Sequence, residues 1–248
     1  MSLAANKKLT LALIGYGKMG KAIEEIALAK GHTIILRISI ENIADFTEDA
    51  LSGADVAIEF TGPESAAENI KKCLEAGVPV VSGSTGWLQE WNAVETVCAA
   101  NGGTLLYASN FSVGVNLFFE LNNYLARLMR NYPGYNVRME EIHHTQKKDA
   151  PSGTAITLAE QVIAGLDNKT RWVLNDLTQA DAVPIVAHRM EHVPGTHTIT
   201  YSSPIDNIDI THTAHNRDGF AIGAVLAAEY IAGKQGIFSM KDVLFGGK

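Results

Sequence analysis

An α/β fold is predicted, with a doubly wound parallel sheet in the first hundred or so residues and a second, α+β domain built on an open mixed sheet. Three observations carry that prediction. Short runs that are apolar along their whole length recur between Leu9 and Ala108 and alternate with segments of helical periodicity, the mark of parallel strands covered on both faces. A glycine-rich turn joins the first strand to the first helix. After Asn110 the rhythm changes, and period-2 alternation replaces the continuous apolar runs. Size and composition agree, since 248 residues, 46% of them hydrophobic and 19% charged, suffice for one large or two small globular domains with a real core.

Leu9 to Ile14 is the first strand, and it runs into Gly15-Tyr16-Gly17-Lys18-Met19-Gly20. Ile23, Ile26, Ala27 and Leu28 then fall on one helical face until Gly31 stops the pattern. His32 to Ile38 and Ala54 to Phe60 are the second and third strands. A helix is expected from Pro63 to Ala76, with the proline in its first turn. Val78 to Val81 is a strand, Trp87 to Ala100 a helix and Thr104 to Ala108 the fifth strand. Beyond Asn110 a long helix over about Gly114 to Arg130 leads to a half-buried strand, Tyr135 to Ile142, and another helix follows Ser152. Strand-like segments from Ile185, from His197 to Tyr201 and from Ile208 to Thr213 complete the second sheet. A last helix, about Phe220 to Ala232, is expected to return to the first domain.

Charge and composition exclude several functions. Twenty Lys plus Arg against 27 Asp plus Glu give a net charge of −7 with no basic cluster, which argues against nucleic-acid binding. The longest apolar stretch, Ala221 to Ala232, is too short for a bilayer and contains Glu229, so no membrane span is predicted. Lys7-Lys8 before Leu9 imitates the start of a signal peptide, but Gly15-Tyr16-Gly17-Lys18 stands where a cleavage site would be. Cys73 and Cys98 have neither metal-ligand nor redox-pair spacing and are expected to be buried, inert thiols in a reducing cytoplasm.

Gly15, Gly17 and Gly20 fit G-x-G-x-x-G between a strand and a helix, the setting in which glycines admit a pyrophosphate to the backbone. A Rossmann-like dinucleotide site is therefore predicted. At the end of the second strand Arg37, Ser39 and Glu41 compete for the position that selects the cofactor. An acid there would suit NADH, and Ser or Arg would tolerate the extra phosphate of NADPH, so either cofactor fits. The turns Phe60-Thr61-Gly62-Pro63 and Gly83-Ser84-Thr85-Gly86, with Ala108-Ser109-Asn110-Phe111, follow successive strands and are expected to line the nicotinamide crevice.

The densest polar segment runs from Glu140 to Thr154 and holds His143, His144, Lys147 and Lys148. Adjacent histidines on an extended chain point to opposite faces and the helical H-E-x-x-H spacing is absent, so no metal site is predicted. His188, His192, His197, His212 and His215 read as polar strand histidines. Ser152 and Thr154 suit a helix N-terminus, and the backbone donors of Gly153 and Thr154 with the helix dipole behind them would hold a carboxylate. Lys147 would add full positive charge.

Glu141-x-His143-His144-x-x-Lys147-x-Asp149-Ala150-Pro151-Ser152-Gly153-Thr154-Ala155 closely resembles the signature of the bacterial dihydrodipicolinate reductase family, the 4-hydroxy-tetrahydrodipicolinate reductases of lysine and diaminopimelate synthesis. The likeness extends to the glycine turn, Phe60-Thr61, Gly83 to Gly86, Asn110 to Asn116 and the tail from Ile210 to Leu244. The resemblance implies that His143 donates a proton with Lys147 assisting. It also implies that His144, Lys147, Ser152, Gly153 and Thr154 hold the two substrate carboxylates. Gly15 to Gly20, Ser39, Phe60, Thr61, Gly83 to Thr85 and Ala108 to Phe111 would hold NADPH or NADH. Residues 1–109 with 217–248 would form the dinucleotide-binding domain, and 110–216 the substrate-binding domain through which a homotetramer assembles. Three departures stand out: the connection from the second strand to Ala54 is shorter than in many relatives, Ser39 falls where an acidic cofactor-selecting residue can occur, and Arg189-Met190-Glu191-His192 lacks a glycine often found there.

Residues and resemblance agree on a conjugate reduction of an unsaturated cyclic imine bearing two carboxylates, with hydride from a nicotinamide and a proton from a general acid. Imidazolium suits the second role, its unperturbed pKa of about 6.5 lying near working pH. Two rivals are a two-domain aspartate or homoserine dehydrogenase, which would lack the HHxxKxDAPSGTA segment, and a non-catalytic nucleotide sensor, which would carry an added recognition helix or basic surface.

Overall fold

The structure, a computed structural model, describes residues 7–216 and 218–246. The chain divides into two units, Met1–Val113 with Asp218–Lys248, and Gly114–Arg217. In chain order the first unit begins β1 (Thr10–Ile14), α1 (Lys18–Ala29), β2 (Thr33–Ile38), a 3-10 segment Ile40–Asp45, the single turn α2 (Glu48–Leu51), β3 (Val56–Glu59), α3 (Ala66–Glu75), β4 (Val80–Ser82), α4 (Trp91–Ala100) and β5 (Thr104–Tyr107). The second unit carries α5 (Val113–Met129), β6 (Asn136–His143), α6 (Gly153–Gly165), β7 (Arg171–Leu174), β8 (Ala182–Arg189), β9 (Gly195–Ser202) and β10 (Asn207–Ala214). The chain then returns to the first unit with α7 (Asp218–Ile231), β11 (Gly236–Phe238) and α8 (Met240–Phe245).

The first sheet is wholly parallel, in the order β11-β5-β4-β3-β1-β2. Alternation along its strands sorts the core in two. Leu11, Leu13, Ile58 and Leu106 pack with Ile23 of α1 and with Ala224, Ala227 and Ala228 of α7. Ala12, Ile14, Ala57 and Leu105 pack with Ile70 and Leu74 of α3 and Val94 of α4. Small residues let α7 lie close on its neighbours: a side-chain carbon on Gly223 would fall 1.8 Å from the Phe111 carbonyl oxygen. A largely buried polar contact ties α7 to the turn between α1 and β2, where Glu229 meets Lys30 at 2.7 Å and His32 at 3.0 Å.

The second sheet is mixed, in the order β10-β9-β6-β8-β7, with β6 antiparallel to β9 and parallel to β8. Val137, Met139, Val183, Ile185, Ile199 and Tyr201 face Leu158, Ala159 and Val162 of α6. Both sheets match the predicted class. The details differ in places. α3 begins at Ala66, because the Gly62 carbonyl accepts from Ser65 and Ala66 and closes a turn that leaves Pro63 outside the helix. β8 begins at Ala182 and includes Pro184, which disguised the strand in the sequence. β7, β11 and α8 carried too few periodic residues to be read. Cys73 and Cys98 are buried and unpaired, and burial pushes both thiols up. Among the described residues no helix is long and apolar enough to cross a membrane.

Candidate active site

In the first unit the strand order reverses at β1, the position at which parallel α/β sheets bind ligands beyond their strand ends. A cavity of about 450 Å³ opens there, lined by Gly15, Gly17, Lys18, Met19, Phe60, Thr61, Gly62, Pro63, Gly83, Ser84 and Thr85. Glycine is required for different reasons within this cradle. Gly15 has a φ of +101°, and a side-chain carbon on it would fall 2.0 Å from the Phe60 carbonyl oxygen. One on Gly20 would lie 2.5 Å from the Gly15 carbonyl oxygen, so helix and turn pack backbone to backbone. Gly17 is the exception: a side-chain carbon there meets nothing within 4 Å and would enter the cavity itself. Gly17 is also the N-cap of α1, with no side-chain cap and no acid in the first turn. Free N–H groups and the helix dipole thus face the space above Gly17, which fits a pyrophosphate.

Beneath the cavity lies Glu59, which is 0% exposed. Its partners are all neutral. Oε1 accepts from the Thr61 N–H at 2.9 Å, the Thr61 hydroxyl and the Ser84 hydroxyl at 2.7 Å, and Oε2 accepts from the Ser82 hydroxyl at 2.7 Å. One carboxylate therefore fastens the turn after β3 to the turn after β4. Nothing in the sequence marked it beyond an acid at the end of an apolar strand.

The other residues expected at the cofactor are held differently. Ser39 caps the 3-10 segment: its hydroxyl accepts from the Glu41 N–H at 3.2 Å and donates to Asn42 at 3.0 Å. Tyr16 donates its hydroxyl to Glu24, which also receives Arg37. Ala108 is half-buried beyond β5, Ser109 is exposed, and Phe111 is buried with its ring 5.6 Å from that of Phe60.

In the second unit the alternation of β6 buries Val137 and Met139, and it necessarily carries Glu141 and His143 to the same face. Strand register then chooses their neighbours, pairing Glu141 with His197 of β9 and His143 with Arg189 of β8. Glu141 Oε2 lies 3.5 Å from His143 Nδ1 and 3.6 Å from His197 Nε2, and the two imidazole centroids are 5.0 Å apart. Arg189 stands 3.5 Å from Glu141 Oε1. The Ser152 N–H donates to Glu141 at 3.0 Å, and the Ser152 hydroxyl accepts from the Ala155 N–H as the α6 cap and meets His197 Nε2 at 3.1 Å. Ser152 is thus buried and committed, whereas Gly153 is exposed and Thr154 half-buried at the same helix end.

Burial works against the charge on both sides of this cluster. It pushes Glu141 up, but His197, Ser152 and His143 outweigh it and hold the carboxyl at about 2. Burial, followed by repulsion from His197, brings His143 down to about 4 against the pull of Glu141. His144 lies half-buried past the strand end with no hydrogen-bond partner at Nδ1. Lys147, expected to offer a bare charge, donates to both Asp149 oxygens at 2.8 and 2.9 Å. His197 and Arg189 are the site residues that the sequence reading passed over, because only register brings them to β6. Donor atoms of Glu141, His143 and His197 lie within 4.8 Å of one another, a spacing a metal could use. The Arg189 guanidinium, however, already supplies the positive charge beside that carboxylate, and the donor set suits a proton better.

A cradle for a pyrophosphate and a buried imidazole cluster on separate units are the parts of hydride transfer coupled to protonation, and the chain is in class an NAD(P)H-dependent oxidoreductase. Comparison with known proteins narrows the class. Residues 9–111 match the family described as "Dihydrodipicolinate reductase, N-terminus" and residues 114–244 its "C-terminus" counterpart. The chain belongs to the dihydrodipicolinate reductase family. It is 50% identical over 240 residues to the 4-hydroxy-tetrahydrodipicolinate reductase of Christiangramia forsetii, covering 95% of this chain and 98% of that one. It is 38% identical to the enzyme of the same name from an Anaeromyxobacter species, over 82% and 77% of the two chains. Its fold is similar to a dipicolinate-bound dihydrodipicolinate reductase from a Paenisporosarcina species, with a TM-score of 0.73 at 22% identity over 94% and 97% of the chains.

Proposed function

We propose that the chain reduces 4-hydroxy-tetrahydrodipicolinate to tetrahydrodipicolinate with NADPH or NADH, in lysine and diaminopimelate biosynthesis, and that it works as a cytoplasmic homotetramer. The observation that carries this reading is the buried Glu141, His143 and His197 cluster closed by the N-terminus of α6. Reduced nicotinamide, when bound beside the cradle of the first unit, supplies the hydride. Gly15, Gly17 and the α1 N-terminus hold the pyrophosphate, and the turns after β3 and β4 form the wall beside it.

Substrate binding falls to the other unit. The N–H groups of Gly153 and Thr154 receive one carboxylate, with no acid in the first turn of α6 to oppose it. Lys147 exchanges Asp149 for the second carboxylate, with His144 beside it. Arg189 steadies this loop by donating to the main-chain oxygens of Lys147 and Asp149. Proton delivery falls to His143, whose Nδ1 is buried with no hydrogen-bond partner. The 4-hydroxyl leaves with a neighbouring ring proton as water, giving the unsaturated cyclic imine; as hydride adds to its ring carbon, the imidazolium proton passes to the carbanion or enamine carbon that results, leaving neutral imidazole. Assembly is supported by β10, an eight-residue edge strand with largely exposed side chains.

The test mixes the protein with the product of the preceding synthase and each reduced cofactor and follows nicotinamide absorbance. Turnover with either cofactor, and a fourfold mass by light scattering, are expected. No oxidation of either cofactor overturns the reading.

A further inference from the structure

We propose that Glu59 is a fixed negative charge that weights the dinucleotide site toward the oxidised, cationic nicotinamide, and so favours departure of the hydride. The inference rests on the cofactor reading above and concerns a residue that neither the glycine turn nor the polar signature includes.

Its charge state follows from the direction of the hydrogen bonds. The Ser84 hydroxyl accepts from the Thr61 N–H at 2.7 Å, so its own hydrogen goes to Glu59. The Thr61 hydroxyl accepts from Ser65 at 3.0 Å and Asn69 at 3.2 Å, so its hydrogen also goes to Glu59. With the Thr61 N–H, Oε1 takes three donors and gives none. Oε2 takes a fourth hydrogen bond from the Ser82 hydroxyl at 2.7 Å, so four donors meet the group and it is hydrogen-bonded as a carboxylate. Those partners are neutral, so its charge is dispersed over dipoles without being cancelled.

Position supplies the rest. In a sheet ordered β5-β4-β3-β1-β2 the adenosine half of a dinucleotide lies toward β2, and the nicotinamide half lies toward β3, β4 and β5. Thr61 and Ser84 line the cavity and touch the carboxylate, so one layer of atoms separates a buried charge from the space above it. Reduced nicotinamide is neutral and the oxidised ring carries one positive charge. A buried anion beside it distinguishes the two forms, whereas a purely structural hub treats them alike.

The test measures, by calorimetry on the full chain, dissociation constants for NAD+, NADH, NADP+ and NADPH in the wild type, Glu59→Gln and Glu59→Asp. Glutamine keeps the three-donor oxygen and removes the charge, and the Ser82 hydroxyl can turn to accept from its amide. The oxidised-to-reduced ratio of dissociation constants is expected to rise about fivefold or more in Glu59→Gln. It is expected to stay near the wild-type ratio in Glu59→Asp, even where both affinities fall. A smaller change in a folded Glu59→Gln overturns the proposal. So does a rise of about fivefold or more in Glu59→Asp, which keeps the charge, and that readout needs no folded glutamine variant. A wild type that binds no dinucleotide overturns the cofactor reading and this proposal with it, and is distinct from a wild type that binds while the ratio stays put.

Discussion

A ligand with two carboxylates should draw a proton onto His143 as it binds. Held at about 4, the imidazole is protonated at pH 7 in only about one molecule in a thousand. An acid so rarely loaded cannot sustain turnover, so the substrate itself must raise its pKa. Raising it to 7 takes three units, or about 4 kcal/mol. At an effective dielectric of about 20, one carboxylate about 5 Å away contributes about 3 kcal/mol. One is not enough, and two are. Dipicolinate, the dicarboxylate held by the Paenisporosarcina relative, should therefore bind at pH 7 with uptake of more than about half a proton, and picolinate, with one carboxylate, with less. Calorimetry in buffers of different ionisation enthalpy reads this number directly. Uptake should vanish in His143→Ala and in that variant only. Uptake below about a tenth with dipicolinate, or uptake that survives His143→Ala, refutes the assignment of the proton to this residue.

Three further outcomes follow from the same geometry. Gly17→Val should fold with a melting temperature close to wild type, because nothing lies within 4 Å of the added carbon, yet lose dinucleotide binding by calorimetry; unchanged affinity would remove the cradle from the cofactor site. Stability should fall as the pH drops from about 6.5 towards 4, because the unfolded chain accepts the proton that burial denies to His143. The loss amounts to at most about 3 kcal/mol. It should continue from about 4.5 to about 2 as Glu141 is neutralised, and urea melts at each pH, compared with His143→Ala, separate the two steps. In steady-state kinetics Thr154→Val should raise KM more than it lowers kcat, whereas Lys147→Ala should do both strongly.

What could be read in the sequence was whatever lies close together along the chain. The glycine turn, the paired histidines and the Ser152 cap are local patterns, and each states its own geometry. Ser39 is placed by its distance from the glycine turn, and its hydroxyl also bonds Asn42 three residues on, a capping pattern equally local. His197 and Arg189 could not be found in this way. They reach Glu141 and His143 only through the register of β9 and β8, and register depends on where two distant strands agree to bury their apolar faces. Glu59 was hidden for a related reason. Its partners come from two different turns, and a single acid at the end of an apolar strand resembles the start of a loop until both turns are in place.

The imidazole cluster also explains why two buried histidines need not compete as acids. Glu141 and Arg189 balance one another at 3.5 Å, so any proton on His143 or His197 is net charge in a buried site. Two such protons 5.0 Å apart would repel by about 3 kcal/mol at an effective dielectric of about 20, which limits the free protein to one at most. The Glu141 carboxylate lies almost equally far from both rings, 3.5 Å from His143 Nδ1 and 3.6 Å from His197 Nε2, but His197 Nε2 also has the Ser152 hydroxyl at 3.1 Å, whereas His143 Nδ1 makes no hydrogen bond. With no hydrogen bond at Nδ1 to hold it, a proton on His143 can pass to the carbanion as the new C–H bond forms. Division of labour between chemically identical side chains is in this way decided by which of them the strand register left without a hydrogen bond.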